Sequence, residues 1–196
     1  MALTDQTSSP RLPVRERLLE AAAEKFYADG VSATGIDSIT SAAGVAKMSL
    51  YNNFGSKAAL VEVYLQRRHQ EWIALYKARL PHEPNAREGV LAVFDAYIDH
   101  ASQAYSNGFR GCALLNAAAE LPADDPGRAI VRQHKSDVEA LLASHLATAL
   151  DNSAAQQMAE QLSFILEGAV ARAGLDGTPA RLHSARQMAA TLAGGL

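Results

Sequence analysis

An all-helical chain is predicted from three features of the sequence. Ala and Leu dominate a composition that is 48% apolar and 20% charged, and runs of β-branched residues are few. Apolar residues recur at three- and four-residue spacing through most of the 196 residues. Gly, Pro and short polar clusters divide these stretches into about nine helices.

Residues 1–13, with Ser8-Ser9-Pro10 and Pro13, lack periodicity and read as a flexible arm. Arg11 in this arm can reach a phosphate or a minor groove, or simply be solvated. Helix one is expected near Val14–Ala28, with Leu18, Leu19, Ala22 and Phe26 as its buried stripe. Helix two is expected over Ile36–Ala43, where Ile36, Ile39 and Ala43 share one face and Thr34 is a candidate N-cap. Gly44 ends it in a left-handed conformation open to glycine at no steric cost, and Val45 plugs the turn. Helix three, Lys47–Phe54, turns Leu50 and Phe54 inward and Lys47, Met48, Ser49, Tyr51 and Asn52 outward. Ser56 caps a long helix four that runs to about Leu80, where Pro81-His82-Glu83-Pro84 breaks it.

Helix five is expected over Ala86–Tyr105, apolar along Val90, Val93, Phe94, Tyr97 and Ile98, and ended by Asn107-Gly108. Helix six covers Cys112–Leu121, and the polar segment Pro122–Gly127 separates it from helix seven, Arg128–Leu150. Helix eight is placed at Ala154–Leu175 and helix nine at Pro179–Leu192, with Pro179 in the first turn.

Helices two and three form a helix-turn-helix whose outward face mixes a cation, an amide, a hydroxyl and an aromatic, a set suited to a DNA major groove. The residues Thr34, Ile36, Ile39, Ala43-Gly44-Val45, Ser49-Leu50-Tyr51, Phe54 and Ser56-Lys57, with Ala22, Phe26 and Gly30 upstream, closely resemble the DNA-binding domain of the TetR family of transcriptional repressors. The resemblance spans roughly Val14–Leu65, a usual size for a three-helix reader. Thr40, Met48 and Ala58 depart from it, standing where that family usually has Ala, Gly and Glu. Phe109–Glu120 is similar to one C-terminal subgroup of the same family. The resemblance implies three regions: an arm at 1–13, a DNA-binding domain at 14–58, and a ligand-binding and dimerisation domain at 59–196.

In that reading Tyr51 packs on a thymine methyl or bonds a phosphate. Lys47 can pair with guanine and Asn52 with adenine, or either can touch only the backbone. Met48 and Ser49 are secondary contacts. Lys57, in the first turn of helix four, resembles the family's phosphate clamp, where its amine and the helix N-terminus both attract an anion. Thr34 and Gly35 can offer backbone N–H groups to a phosphate.

For the C-terminal half the resemblance implies a homodimer through helices eight and nine, near 154–175 and 179–192, where Gly168 and Ala171 allow close approach. It also implies a cavity for a small-molecule effector among helices four to eight. Candidate lining residues are Trp72, Tyr76, Phe94, Tyr97, Tyr105, Phe109, Cys112, Asn116, Glu120, His134, Phe164 and Glu167. Cys112, Asn116 and Glu120 fall on one face of helix six, and His134, Val138, Leu141 and His145 on one face of helix seven. Glu167 sits in an apolar run and needs a cation, a donor or a raised pKa. It either meets a cationic ligand or pairs with Arg172 or a histidine. Cys112 is a small buried apolar residue or an oxidant sensor.

Net charge is −3, but residues 1–57 are neutral, so the remainder carries it. Phosphate contact must then come from a few placed cations, hydroxyls and helix N-termini, with a moderate salt slope. A single cysteine makes no internal disulfide and fits a reducing cytoplasm. No apolar run approaches the roughly 18 residues that span a bilayer, and the N-terminus lacks a signal pattern. Gly30–Gly35 has the outer spacing of a phosphate loop but is followed by Ile36-Asp37, not Lys-Ser/Thr. No hydrolase, zinc-protease or dinucleotide motif occurs, and no cofactor or metal is expected. The expected function is a sequence-specific regulator, a repressor released from a palindromic operator by a small inducer. The alternatives are a ligand-independent DNA-binding activator or architectural protein, and a helical enzyme or carrier that keeps the motif as scaffold.

Overall fold

The computed structural model describes residues 12–103 and 108–196. Expectations for Arg11 and the rest of the arm before residue 12, and for Tyr105 and Asn107, fall outside them. Among the described residues there are nine helices and no strand. The chain divides into two compact units, the first ending at Tyr64 and the second beginning at Leu65.

In the first unit α1 (Val14–Asp29), α2 (Ile36–Ala43) and α3 (Lys47–Phe54) pack on one another. Leu18, Ala22, Phe26, Ile39 and Leu50 form the core, joined by Leu60 and Tyr64 from the start of α4. Full burial of a side chain such as Leu50 stabilises by roughly 1.5–3 kcal/mol. The rings of Phe26 and Tyr64 meet edge to face at 5.4 Å. Gly44, at φ 61°, makes the turn between α2 and α3. Arg17 on α1 donates to the carbonyls of Ala43 and Gly44, which α2 leaves without helical partners.

Thr34 is not the N-cap of α2. Gly35 holds that place without a side-chain bond. Thr34 is buried, and its hydroxyl donates backward to Gly30 O at 2.6 Å. Thr40 is also buried and donates to Ile36 O, the back-bond that satisfies a hydroxyl inside a helix. Ile36, Val45 and Phe54 are half-buried at the rim.

The second unit comprises the rest of α4 (Lys57–Arg79) with α5 (Ala86–Ala101), α6 (Ala113–Glu120), α7 (Pro126–Leu146), α8 (Asn152–Asp176) and α9 (Ala180–Leu192). α5 is the central element, packed on α7 and α9. α7 packs on α8 and α6, and α8 on α9. α5 opens with a capping box, in which Asn85 accepts from Glu88 N while the Glu88 carboxylate accepts from Asn85 N. Arg128 on α7 closes the end of α6 by donating to Ala118 O at 2.7 Å. Gly174 lies so near the segment before α6 that a Cβ there would stand 2.6 Å from Gly111 N.

Several boundaries differ from expectation, each for a local reason. α5 stops at Ala101, because Ser102 N and Oγ both bond back to the Ile98 carbonyl. α7 starts at Pro126, two residues early, because Asp125 caps it by accepting from Gly127 N. It ends at Leu146, and residues 147–150 turn toward Asp151, which caps α8 two residues earlier than predicted. α4 ends one residue earlier, at Arg79. Cys112 and Pro179 are N-caps, not helical residues.

Candidate functional site

Two groups of side chains stand out, one in each unit. The first is the outward face of α3. With Leu50 fully buried as its anchor, helical geometry sends Lys47, Met48, Tyr51 and Asn52 to solvent, with Ser49 half-buried. Met48 is 63% exposed and Tyr51 39%, large apolar surface with no intramolecular use. Asn53 turns away from this set and donates to Ser49 O at 2.7 Å.

Lys47 is not free on this face. Its Nζ sits 2.9 Å from Asp37 Oδ1 on α2, and this hydrogen bond and the Asp37 charge hold the amine above its ordinary pKa. Lys57 is the first residue of α4 and is half-buried, with Ser56 Oγ beside it accepting from Ala59 N at 3.0 Å. Gly35 is exposed at the start of α2, with nothing within 4 Å of where a Cβ would stand.

The second group is a polar cluster inside the second unit. Glu167 on α8 pairs with Lys135 on α7 at 2.7 Å, correcting the expected partners Arg172 and histidine; Arg172 is exposed. Lys135 Nζ also lies 3.4 Å from the Tyr97 hydroxyl and 3.6 Å from Cys112 Sγ. Burial works against its charge, but Cys112, Tyr97 and Glu167 outweigh it and hold the amine well above the usual lysine range. Burial raises the Tyr97 phenol, with Lys135 opposing.

His134 is buried beside this pair. Its Nε2 is 3.4 Å from the Tyr97 hydroxyl and its Nδ1 is 3.0 Å from His69 Nδ1 on α4. Burial, then the charges of Lys135, His69 and His100, push His134 down to about 3. Burial, then Arg68 and Lys135, push His100 to about 4. Trp72 stacks on Tyr76 at 5.8 Å and meets Tyr97 and the edge of His134. Trp72 Nε1 and Glu167 Oε2 are both buried with no hydrogen-bond partner among the described residues. Buried polar atoms are seldom left so without a reason.

Of the predicted ligand residues, Trp72, Tyr76, Phe94, Tyr97, Phe109, Cys112 and His134 are buried. Glu120 is exposed at the end of α6, and Asn116 is half-buried and donates to Arg110 O. The face they share with Cys112 therefore runs from core to solvent. Phe164 is 66% exposed and belongs to an outer apolar face with Met188 and Leu192. No cluster of three or more metal-ligating side chains occurs among the described residues.

Residues 18–64 match the family model of bacterial regulatory proteins of the tetR family. Residues 86–189, just over half of the chain, match that of the tetracyclin repressor-like C-terminal domain. The chain belongs to the TetR family. A TetR-family transcriptional regulator from Streptomyces coelicolor is 31% identical, with a TM-score of 0.77 over 90% of this chain and 94% of that one. A TetR transcriptional regulator from Streptomyces avermitilis is 33% identical, with a TM-score of 0.71 over 91% and 98%. The HTH-type transcriptional activator FasR of Mycolicibacterium smegmatis is 36% identical over 99 residues, 49% of this chain. The chain spans less than half, 45%, of that curated relative's length. TetR-family proteins are DNA-binding transcriptional regulators, not enzymes. Among the described residues no helix is long and apolar enough to cross a membrane.

Within this TetR-family chain, Lys135 and His69 are the polar residues that sequence reasoning missed. A lysine in a long helix reads as solvated. The available signal was its spacing, since Val131, Lys135, Val138 and Leu142 fall on one stripe of α7, and the other three are buried. A lysine on that stripe is the natural partner for a carboxylate placed equally oddly on α8.

Proposed function

We propose that this chain is a sequence-specific transcriptional regulator that reads DNA with α3 and answers to a small molecule held in its C-terminal unit. The observation that carries the reading is the α3 face. It offers an exposed aromatic, an amide and a flexible thioether on a short helix anchored by a fully buried Leu50, in a helix-turn-helix of the TetR family. Tyr51 and Asn52 read base edges, Met48 and Ser49 add contacts, and Lys57 holds a phosphate at the first turn of α4. The missing Cβ at Gly35 leaves its backbone N–H accessible to a phosphate, and the buried Thr34 serves the same site by holding the turn before α2. Lys47 contributes once DNA competes with Asp37 for its amine. Residues 14–58 form the reading domain and 59–196 the effector and dimer domain.

The exposed Phe164, Met188 and Leu192 border an apolar groove of about 600 Å³ between α8 and α9. This supports a homodimer through these helices. A two-fold dimer presents two recognition helices roughly 34–36 Å apart and reads a pseudo-palindrome. The unliganded dimer holds operator spacing and the effector favours another spacing, which makes the protein a repressor. A ten-thousand-fold preference between the two states corresponds to about 5.5 kcal/mol of differential binding. The relation to FasR, an activator, supports the opposite sign as the second reading. DNA as target and one unpaired cysteine agree with a cytoplasmic site of action.

Selection of bound duplexes from a random pool, repeated with Tyr51→Ala, tests the reading. An enriched palindrome that the variant loses is expected. Absence of enrichment at low salt for the folded protein refutes it.

A further inference from the structure

Six polar side chains of the second unit form a series that apolar packing does not require. Glu167 accepts from Lys135 at 2.7 Å, and Lys135 lies 3.4 Å from the Tyr97 hydroxyl. That hydroxyl lies 3.4 Å from His134 Nε2, and His134 Nδ1 lies 3.0 Å from His69 Nδ1. His69 Nε2 faces Asp137 Oδ2 at 4.0 Å. One end of the series is a carboxylate whose second oxygen is buried and unpartnered. The other end opens on a groove of about 230 Å³ lined by His69, His134, Asp137 and glutamines.

Donor chemistry gives the series a direction. An ammonium only donates, so the Tyr97 oxygen accepts from Lys135, and its own O–H is free to point to His134 Nε2, its other partner, which is the direction we assign. With Nε2 accepting, a neutral His134 carries its proton on Nδ1. Between two Nδ1 atoms 3.0 Å apart only one proton fits, and His134 supplies it. His69 then accepts at Nδ1, carries its own proton on Nε2, and turns it toward the Asp137 carboxylate. A carboxylate is acceptor-only, which suits that end. The charged and titratable groups around the two rings are Lys135 and Asp137 on α7, His100 and Tyr97 on α5 and, through Lys135, Glu167 on α8, while Arg68 on α4 acts on His100. Lys135 and His100 both oppose a second proton on His134.

We propose that this series is a relay in which the Lys135–Glu167 pair sets the tautomers of His134 and, through it, of His69 on α4. A molecule that draws Lys135 away from Tyr97 removes the donor that fixes the direction. The Tyr97 proton turns, His134 is released to carry its proton on Nε2, and His69 presents a different edge to α4's surroundings. Each tautomer change breaks one ring N–H bond and forms the other: His134 gives up its Nδ1 proton and takes one at Nε2 by exchange with solvent in the groove that both rings line, so the proton count does not change. The regulatory meaning of the relay rests on the effector reading above, but the relay itself is present without an effector.

Long-range proton–nitrogen correlation spectra of the histidine rings near neutral pH test it, on the full-length protein, with His69→Gln and His134→Gln giving assignments. Expected in the unsubstituted protein are His134 as the Nδ1–H tautomer and His69 as the Nε2–H tautomer. Tyr97→Phe removes one oxygen from the middle of the series, and Lys135→Met imitates withdrawal of the donor. Each should lose the fixed His134 tautomer and shift His69. Arg186→Gln, which breaks the separate Arg186–Asp95 pair, should leave both rings unchanged. Finding His134 as Nε2–H, or His69 unmoved by both Tyr97→Phe and Lys135→Met, overturns the proposal. So does an equal response to Arg186→Gln, which would mean general loosening. These spectra involve no DNA, so failure of the duplex selection and failure of the relay are separate results.

Discussion

Lys47 on α3 and Asp37 on α2 meet at 2.9 Å, so the most prominent cation of the reading face is already held by a carboxylate on the same face. The pair is exposed and ties the two helices of the motif at their outer edge. DNA must compete for that amine, and Asp37 itself repels phosphate. Asp37→Asn is therefore expected to strengthen binding to all duplexes, by roughly threefold to tenfold at low salt, and to steepen the salt dependence. Fluorescence anisotropy over a salt series reads both. Weaker binding would mean that Asp37 aims Lys47 at its base.

Arg17, half-buried, plays a different part in the same motif. Its guanidinium satisfies carbonyls at the end of α2 just where the turn begins. Arg17→Ala should cost about 1–2 kcal/mol in urea unfolding and weaken operator binding through a loosened turn. Arg17→Lys should recover only part of this, since both bonds leave the terminal Nη2 and the shorter lysine side chain carries its amine less far.

Tyr51→Ala should abolish specific binding and leave thermal stability nearly unchanged, because Tyr51 is 39% exposed and anchors no core. Lys57→Ala should instead weaken all sequences alike and lower the salt slope by about one unit. Competition binding with operator and scrambled duplexes separates the two. A change in base preference for Lys57→Ala would contradict a phosphate role.

Acid should unfold the C-terminal unit in a defined window. His134 and His100 are neutral in the fold, pushed to about 3 and about 4, against 6.5 when unfolded. Between those values and 6.5 the unfolded chain binds more protons, so stability rises with pH through this window and is complete above it. Each histidine contributes a slope of up to about 1.4 kcal/mol per pH unit. Urea midpoints from about pH 5 to 7 should show this slope, and His134→Gln should flatten it by about one proton.

Two glycines of α8 should respond in opposite ways to a methyl group. Gly174→Ala places a Cβ against the Gly111 backbone and should cost about 1–3 kcal/mol. Gly168 has nothing within 4 Å of its Cβ position, so Gly168→Ala should stabilise the protomer by up to about 1 kcal/mol. If α8 packs against its twin, that same methyl should weaken the dimer, which sedimentation across a concentration series would read.

The reading motif was legible because its determinants are local. The three-and-four spacing of Ile36, Ile39 and Ala43, and the four-residue spacing of Leu50 and Phe54, with Gly44 between them, set two short helices and the turn. Burial of Leu50 alone fixes which residues face out. Helix ends were harder, since they turned on single side chains. Asp125 and Ser102 moved the ends of α7 and α5 through bonds that periodicity does not register. Thr34 resembled a cap but found a carbonyl behind it, because the turn after α1 brings Gly30 within 2.6 Å.

The sequence by itself determined an all-helical chain, the helix-turn-helix and its outward face, and membership of a DNA-binding family. Each depends on spacing within a few turns of one helix or on residues held in register along the chain. Only the tertiary structure decided that Asp37 holds Lys47, that Lys135 and not Arg172 neutralises Glu167, and that His69 meets His134. Those partners lie on different helices, 10, 32 and 65 residues apart. Charge and polarity say that a buried group needs a partner, but the packing of helices says which one is in reach.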